Sequence, residues 1–152
     1  MMVQIGEKAP EFSLSDAEGN TVSLRDFRGR KVVIYFYPKD DTPGCTRESC
    51  DFRDSQPDFG RAGAVVLGIS PDSAKSHQRF REKYGLNFIL LADPQRQAIE
   101  AYGVWQEKSM YGKEYMGLER STFLIDEQGR LAGEWRKVKV EGHVAQVLAS
   151  LG

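Results

Sequence analysis

Apolar and polar positions along the chain fall into short runs separated by Gly, Pro and acidic turns. Phe12-Ser13-Leu14 and Thr21-Val22-Ser23-Leu24 alternate around Asp16-Ala17-Glu18-Gly19-Asn20, which predicts an N-terminal β-hairpin. Lys31 to Tyr37 is β-branched and aromatic on both faces, the pattern of a strand buried on two sides, and Pro38 ends it. The stretch from Cys45 to about Phe59 carries Cys50, Phe52 and Phe59 among charged neighbours and predicts a helix behind the Pro43-Gly44 breaker. Ala64 to Ser70 is a second buried strand. Asp72 or Ser73 can cap a helix running through Phe80 to Tyr84. Phe88 to Leu91 is a third core strand, and Pro94 to about Tyr102 predicts another helix. The polar stretch from Trp105 to Leu118 predicts a long loop. Ser121 to Ile125 and Leu131 to Val138 bracket Asp126-Glu127-Gln128-Gly129, a hairpin signal. From Glu141, Val144, Val147, Leu148 and Leu151 recur at helical spacing. Strands alternating with helices, then a hairpin and a last helix, predict an α/β fold with a mixed central sheet.

Composition narrows the function classes. The 152 residues fit one domain, 1–152, with no repeat, linker or low-complexity tract. Twenty-one basic residues against twenty-two acidic ones leave a formal charge of -1, so nothing electrostatic predicts a nucleic acid or an anionic membrane as partner. No apolar run approaches the ~18 residues of a membrane span. The opening MMVQIGEKAPEF lacks the apolar stretch of a secretory signal, and the expected compartment is the cytoplasm.

In that compartment a cysteine pair is more often catalytic, redox-sensing or metal-binding than structural. The chain has two, Cys45 and Cys50. Cys45 follows a strand, a tight turn and Pro43-Gly44, which places it at or near a helix amino terminus. Free backbone N–H groups and the positive end of the helix dipole favour a thiolate there, and the thiolate is the nucleophile. An inert buried thiol is the plain alternative, but Asp40, Asp41, Thr42, Pro43 and Gly44 are turn residues rather than core. On an ideal helix, residues five apart have Cα atoms about 8.7 Å apart, whereas a disulfide takes roughly 4.4–6.8 Å. If the two cysteines pair, the first helical turns must unwind. Structural zinc needs four ligands at short cysteine spacings. His77 and His143 lie far from the pair in sequence, so no metal is expected. His77, in a charged helix, is read as a solvated surface residue, and His143, just inside the last helix, as having no chemical role.

The residues that carry the chemistry resemble a known family. Pro38-x3-Thr42-x2-Cys45, within Tyr-Phe-Tyr-Pro-Lys-Asp-Asp-Thr-Pro-Gly-Cys-Thr, is similar to the active-site run of the peroxiredoxins, above all their bacterioferritin comigratory, or Q-type, subfamily. Gly6-x2-Ala9-Pro10-x-Phe12, Val66 to Ser70, Tyr102 to Trp105 and Arg120 to Asp126 extend the likeness over essentially the whole chain. The resemblance implies a thioredoxin-like fold and reduction of hydrogen peroxide or organic hydroperoxides. It assigns Cys45 as the peroxidatic cysteine, Thr42 and Pro38 as pocket partners, Arg120 as the late arginine and Cys50 as the resolving thiol. It implies an intramolecular Cys45–Cys50 disulfide reduced by thioredoxin or glutaredoxin, with no cofactor, in a monomer or weak homodimer. Arg120 offers a planar fork of donors for a thiolate and a departing oxygen. The Thr42 hydroxyl can orient a peroxide, Pro38 can wall the sulfur from water, and Glu48, one turn after Cys45, is placed to pair with Arg120. A thiol–disulfide oxidoreductase, which usually has two residues between its cysteines rather than four, and a non-catalytic redox-sensing module are the rival readings.

Overall fold

The computed structural model describes residues 3–151. The chain opens with β1 (Ser13–Asp16) and β2 (Thr21–Ser23), an antiparallel hairpin whose turn is held by Asp16 Oδ1 accepting from the N–H groups of Glu18 and Asn20. It continues through β3 (Lys31–Phe36), α1 (Pro43–Asp54), α2 (Gln56–Arg61) and β4 (Ala64–Ser70). Next come α3 (Ala74–Tyr84), β5 (Ile89–Ala92), α4 (Gln97–Ala101), β6 (Trp105–Met110) and β7 (Lys113–Leu118). β8 (Ser121–Ile125), β9 (Leu131–Trp135) and α5 (His143–Ala149) complete the chain. Seven strands form one mixed sheet in the order β2-β1-β5-β4-β3-β8-β9. β3 lies parallel to β4 and antiparallel to β8, as its two-faced apolar sequence requires of an inner strand.

The alternation along β3 divides the core in two. Ile34 and Phe36 join Leu67, Ile69, Ile99, Tyr102 and Phe123 on one face. Val33, Tyr35 and Tyr37 join Cys45, Phe52, Phe59 and Phe80 on the other. Tyr35 ties α1 to the sheet: its ring stacks on Phe52 with centroids 4.5 Å apart, and its hydroxyl lies 2.8 Å from Ser49 Oγ. The sheet accommodates that ring because its β4 neighbour is Gly68, where a Cβ would stand 2.8 Å from Tyr35 and Leu90. Any side chain there would displace the aromatic anchor of α1.

Three expectations are corrected. Trp105 to Leu118 is not a loop but the hairpin β6–β7, paired from Trp105↔Leu118 to Met110↔Lys113 around a turn at Tyr111-Gly112. The helix predicted to Phe59 breaks at Ser55, and a second helix starts with Pro57 in its first turn, where a missing N–H costs nothing. His77 is fully buried, not solvated, because it lies on the same face of α3 as Phe80. Among the described residues, no helix is long and apolar enough to cross a membrane.

Candidate active site

The site forms where β3 hands over to α1. Thr42 is extended (φ -102, ψ 156) and serves as the N-cap residue, and Pro43 occupies the first turn. The Thr42 carbonyl accepts the first helical bond from the Thr46 N–H at 2.8 Å. The first-turn N–H groups of Gly44 and Cys45 have no acceptor inside the helix and are left free at its head. The Thr42 hydroxyl is not spent on the cap; it donates to the Lys39 carbonyl at 2.9 Å. Asp41, just before it, takes a left-handed conformation (φ 56) that Asp tolerates better than most residues. Its carboxylate accepts from Lys83 Nζ at 2.8 Å and from the Tyr84 hydroxyl, and those bonds hold its pKa below the ordinary value.

Arg120 reaches in from the residue before β8. One guanidinium nitrogen, Nη2, donates to Cys45 Sγ at 3.2 Å, and the other, Nη1, donates to Glu48 Oε1 at 2.7 Å. The fork thus spans one turn of α1, from Cys45 to Glu48, with its geometry fixed by the planar guanidinium. Gly44 leaves the room: a Cβ there would stand 3.3 Å from Nη2. Burial alone would pull the arginine's pKa down, but the Glu48 carboxylate and the Cys45 sulfur more than reverse this. Cys45 is 1% exposed, yet Thr42 is half-buried and Pro43 and Gly44 are exposed, so the sulfur lies just beneath the surface. Cys50 is half-buried on the same helix, and both cysteines are free. Burial raises the Cys50 thiol's pKa, with Arg53 opposing it.

The structure therefore brings Cys45, Arg120 and Glu48 into one contact network and sets Thr42 at the head of their helix. Pro38 is half-buried at the end of the strand that leads there, and Cys50 lies beyond the network, with α1 helical throughout. Glu48 is completely buried and its Oε2 has no partner among the described residues. Desolvation pushes its pKa up to about 7, against the pull of Arg120. His143 also feels the Arg120 charge: buried, with Nε2 2.7 Å from Thr122 Oγ1, it is pushed down to about 4, first by desolvation and then by that charge. The sequence reading gave His143 no chemical role and did not anticipate its burial; its spacing with Val144 and Val147 on the inward face of α5 was the available signal.

Glu48 and His143 titrate with opposite consequences. Glu48 binds its proton more tightly folded than unfolded, so its contribution to stability is complete below pH 4.5 and is lost as the pH rises to about 7. His143 binds its proton less tightly when folded, so its contribution is present above pH 6.5 and is lost as the pH falls towards about 4. The two offset each other over one window. Glu48→Gln should gain stability over wild type by ~3 kcal/mol between pH 4.5 and 7.5, and His143→Asn should lose the low-pH decline assigned to His143. Urea denaturation at a series of pH values checks this; parallel curves for wild type and Glu48→Gln would refute it.

The AhpC/TSA family model matches residues 5–133. The chain is 55% identical to peroxiredoxin Bcp of Bacillus subtilis over 99% of its length and 96% of that protein. The chain belongs to the peroxiredoxins. Among solved structures, peroxiredoxin Q of Xanthomonas campestris superposes with a TM-score of 0.89 at 49% identity, covering 92% of this chain and 89% of that one. A Xanthomonas campestris bacterioferritin comigratory protein with alkyl peroxide reduction activity gives 0.92 at 45% identity, covering 97% of each. The thioredoxin-like fold expected from the sequence is therefore the fold of this peroxiredoxin, and the family is one of thiol peroxidases.

Proposed function

We propose that this peroxiredoxin reduces hydrogen peroxide and organic hydroperoxides with Cys45 as the peroxidatic sulfur and Cys50 as the resolving one. The observation that carries this reading is the Arg120 fork, whose two arms touch Cys45 Sγ and Glu48 at once. A hydroperoxide lying against the sulfur would meet three kinds of group. The guanidinium and the first-turn N–H groups offer donors to the departing oxygen, where negative charge develops. The Thr42 hydroxyl, whose hydrogen already goes to Lys39, offers a lone pair to the peroxide O–H. Pro38, lacking an N–H, limits the access of water to the sulfur.

In the first step the Cys45 thiolate attacks one peroxide oxygen in line with the O–O bond. An S–O bond forms, the O–O bond breaks, and sulfur is oxidised by two electrons to a sulfenic acid. The departing hydroxide or alkoxide takes a proton and leaves as water or alcohol. The first turns of α1 then unwind, and the Cys50 thiol attacks the sulfenic acid, forming the disulfide and releasing water. Thioredoxin, or glutaredoxin in its place, supplies the two electrons that restore both thiols through exchange. The enzyme acts as one domain in the cytoplasm, as a monomer or weak homodimer, with an antioxidant role.

The decisive experiment is a coupled assay with hydrogen peroxide, thioredoxin, its reductase and NADPH. Sustained NADPH oxidation is expected; a single stoichiometric oxidation with no turnover would count for a redox sensor instead. Cys50→Ser is expected to keep the first turnover, to accumulate sulfenic acid captured by dimedone and seen by mass spectrometry, and to lose sustained turnover with thioredoxin. A dimedone-negative Cys50→Ser protein after peroxide treatment would count against the sulfenic route.

A further inference from the structure

The Thr42 hydroxyl can accept a hydrogen bond from a peroxide only if its own hydrogen is directed elsewhere, and the Lys39 carbonyl provides that direction. The Lys39 C=O belongs to the same rigid peptide plane as the Asp40 N–H, so whatever fixes one fixes the other. That plane is held from α3 and its approach. The Asp40 N–H donates to Asp72 Oδ2 at 2.8 Å, and Ser70 Oγ donates to the same oxygen at 2.7 Å.

The Asp40 side chain is held more firmly still. Its Oδ1 accepts from the Tyr37 hydroxyl at 2.6 Å, and its Oδ2 accepts from Ser76 Oγ at 2.8 Å. Oδ2 also lies 2.7 Å from His77 Nδ1. His77 Nε2 lies 2.9 Å from the Leu91 carbonyl, and because a carbonyl only accepts, Nε2 carries a hydrogen. The ring is thereby fixed at both nitrogens, between β5 and the loop that leads into α1. Asp40 is 7% exposed and His77 is fully buried. Ligand atoms of Asp40, Asp72 and His77 come within 4.8 Å of one another. Both Asp40 oxygens and both His77 nitrogens are already engaged, however, so a cation would have to break this network to enter. Its evident product is a fixed backbone segment, Lys39 to Thr42, in front of Cys45.

We propose that His77, acting through Asp40, is a positioning residue that sets the acceptor direction of the Thr42 hydroxyl towards the hydroperoxide. This rests on the peroxidase reading above. It links a histidine on the far side of the loop to the orientation of a substrate it does not touch. The dependence is on the Nδ1 side of the ring alone, since Nε2 faces Leu91.

The test exploits that asymmetry. Asparagine at position 77 puts an amide where Nδ1 stood, whereas glutamine puts it near Nε2. In full-length Cys50→Ser protein, two reactions of Cys45 are timed: sulfenic acid formation with hydrogen peroxide, and alkylation by iodoacetamide, which needs the sulfur but no peroxide-orienting acceptor. His77→Gln is expected to slow the peroxide reaction on the order of tenfold and to leave alkylation within about twofold. His77→Asn is expected to retain most of the peroxide rate. Thr42→Val is expected to slow the peroxide reaction comparably, and adding His77→Gln to it should change nothing further. Equal loss in the Asn and Gln variants, slowing of both reactions alike, multiplying effects in the double variant, or an unchanged His77→Gln rate would each overturn the inference. A Cys50→Ser parent that is alkylated normally but ignores peroxide would sink the peroxidase reading, and this inference with it.

Discussion

Cys45→Ser is expected to reduce peroxide consumption to the uncatalysed background, a loss of several orders of magnitude. An alcohol is far harder to ionise than a thiol, and oxygen, unlike sulfur, has no stable oxidised product analogous to a sulfenic acid. The substitution is otherwise mild. Serine is close in volume to cysteine, and its hydroxyl can still accept from the Arg120 nitrogen that stands 3.2 Å from the sulfur. The variant should therefore fold, with an unfolding midpoint near that of wild type, so lost turnover would report chemistry rather than structure. The coupled assay measures the rate and circular dichroism the fold. Undiminished turnover by a folded Cys45→Ser protein would end the assignment.

The second large effect belongs to Arg120. Arg120→Met keeps much of the side-chain length but removes the fork, and peroxide reduction should fall by roughly 10²–10³-fold, the scale of losing a preorganised donor at a developing charge. Stability should fall as well, because the buried Glu48 carboxyl loses the Arg120 donor, its one partner among the described residues. The two losses are separable. Glu48 can take up a proton to shed its charge, so Arg120→Met should be most destabilised above pH 7 and least at pH 5, where Glu48 is already neutral. Adding Glu48→Gln should restore stability at high pH without restoring the rate. Arg120→Lys keeps a charge but cannot bridge Sγ and Glu48 together, and an intermediate rate is expected. Recovery of the rate by Glu48→Gln would mean that Arg120 serves the fold rather than the reaction.

Much of this was legible in the chain. The two-faced apolar runs of β3, β4 and β5 identified inner strands, and the Pro-Gly-Cys turn located the head of α1. The Cys45–Glu48–Arg120 association was visible once the family likeness assigned the arginine; without it, Arg120 reads as one more charge before a strand. The hairpin β6–β7 was not legible. Glu107, Ser109, Lys113 and Glu114 are exposed, so the two strands lack the alternating buried face by which strands announce themselves. His77 was obscured by its neighbours Lys75, Ser76, Gln78 and Arg79. Its spacing of three from Phe80 and seven from Tyr84 marked the inward face of α3, but the partner that defines its role, Asp40, lies 37 positions earlier. Long-range polar pairing leaves no periodic trace in sequence.

The attachment of α1 to the sheet through Tyr35 makes the helix unequal along its length. From Ser49 onward it is clamped, by the hydroxyl contact at Ser49 and the ring of Phe52; ahead of that, Arg120 grips Cys45 and Glu48. Cys50 falls on the clamped side of this division and Cys45 on the other. In the proposed cycle a melting front that starts at Pro43 first breaks the Arg120 contacts to Cys45 and Glu48 and then meets the Tyr35 clamp at Ser49, one residue short of Cys50. On that proposal the fraying end travels and the docked end waits, so closing a Cys45–Cys50 bridge would require little more than about a turn and a half of chain to let go.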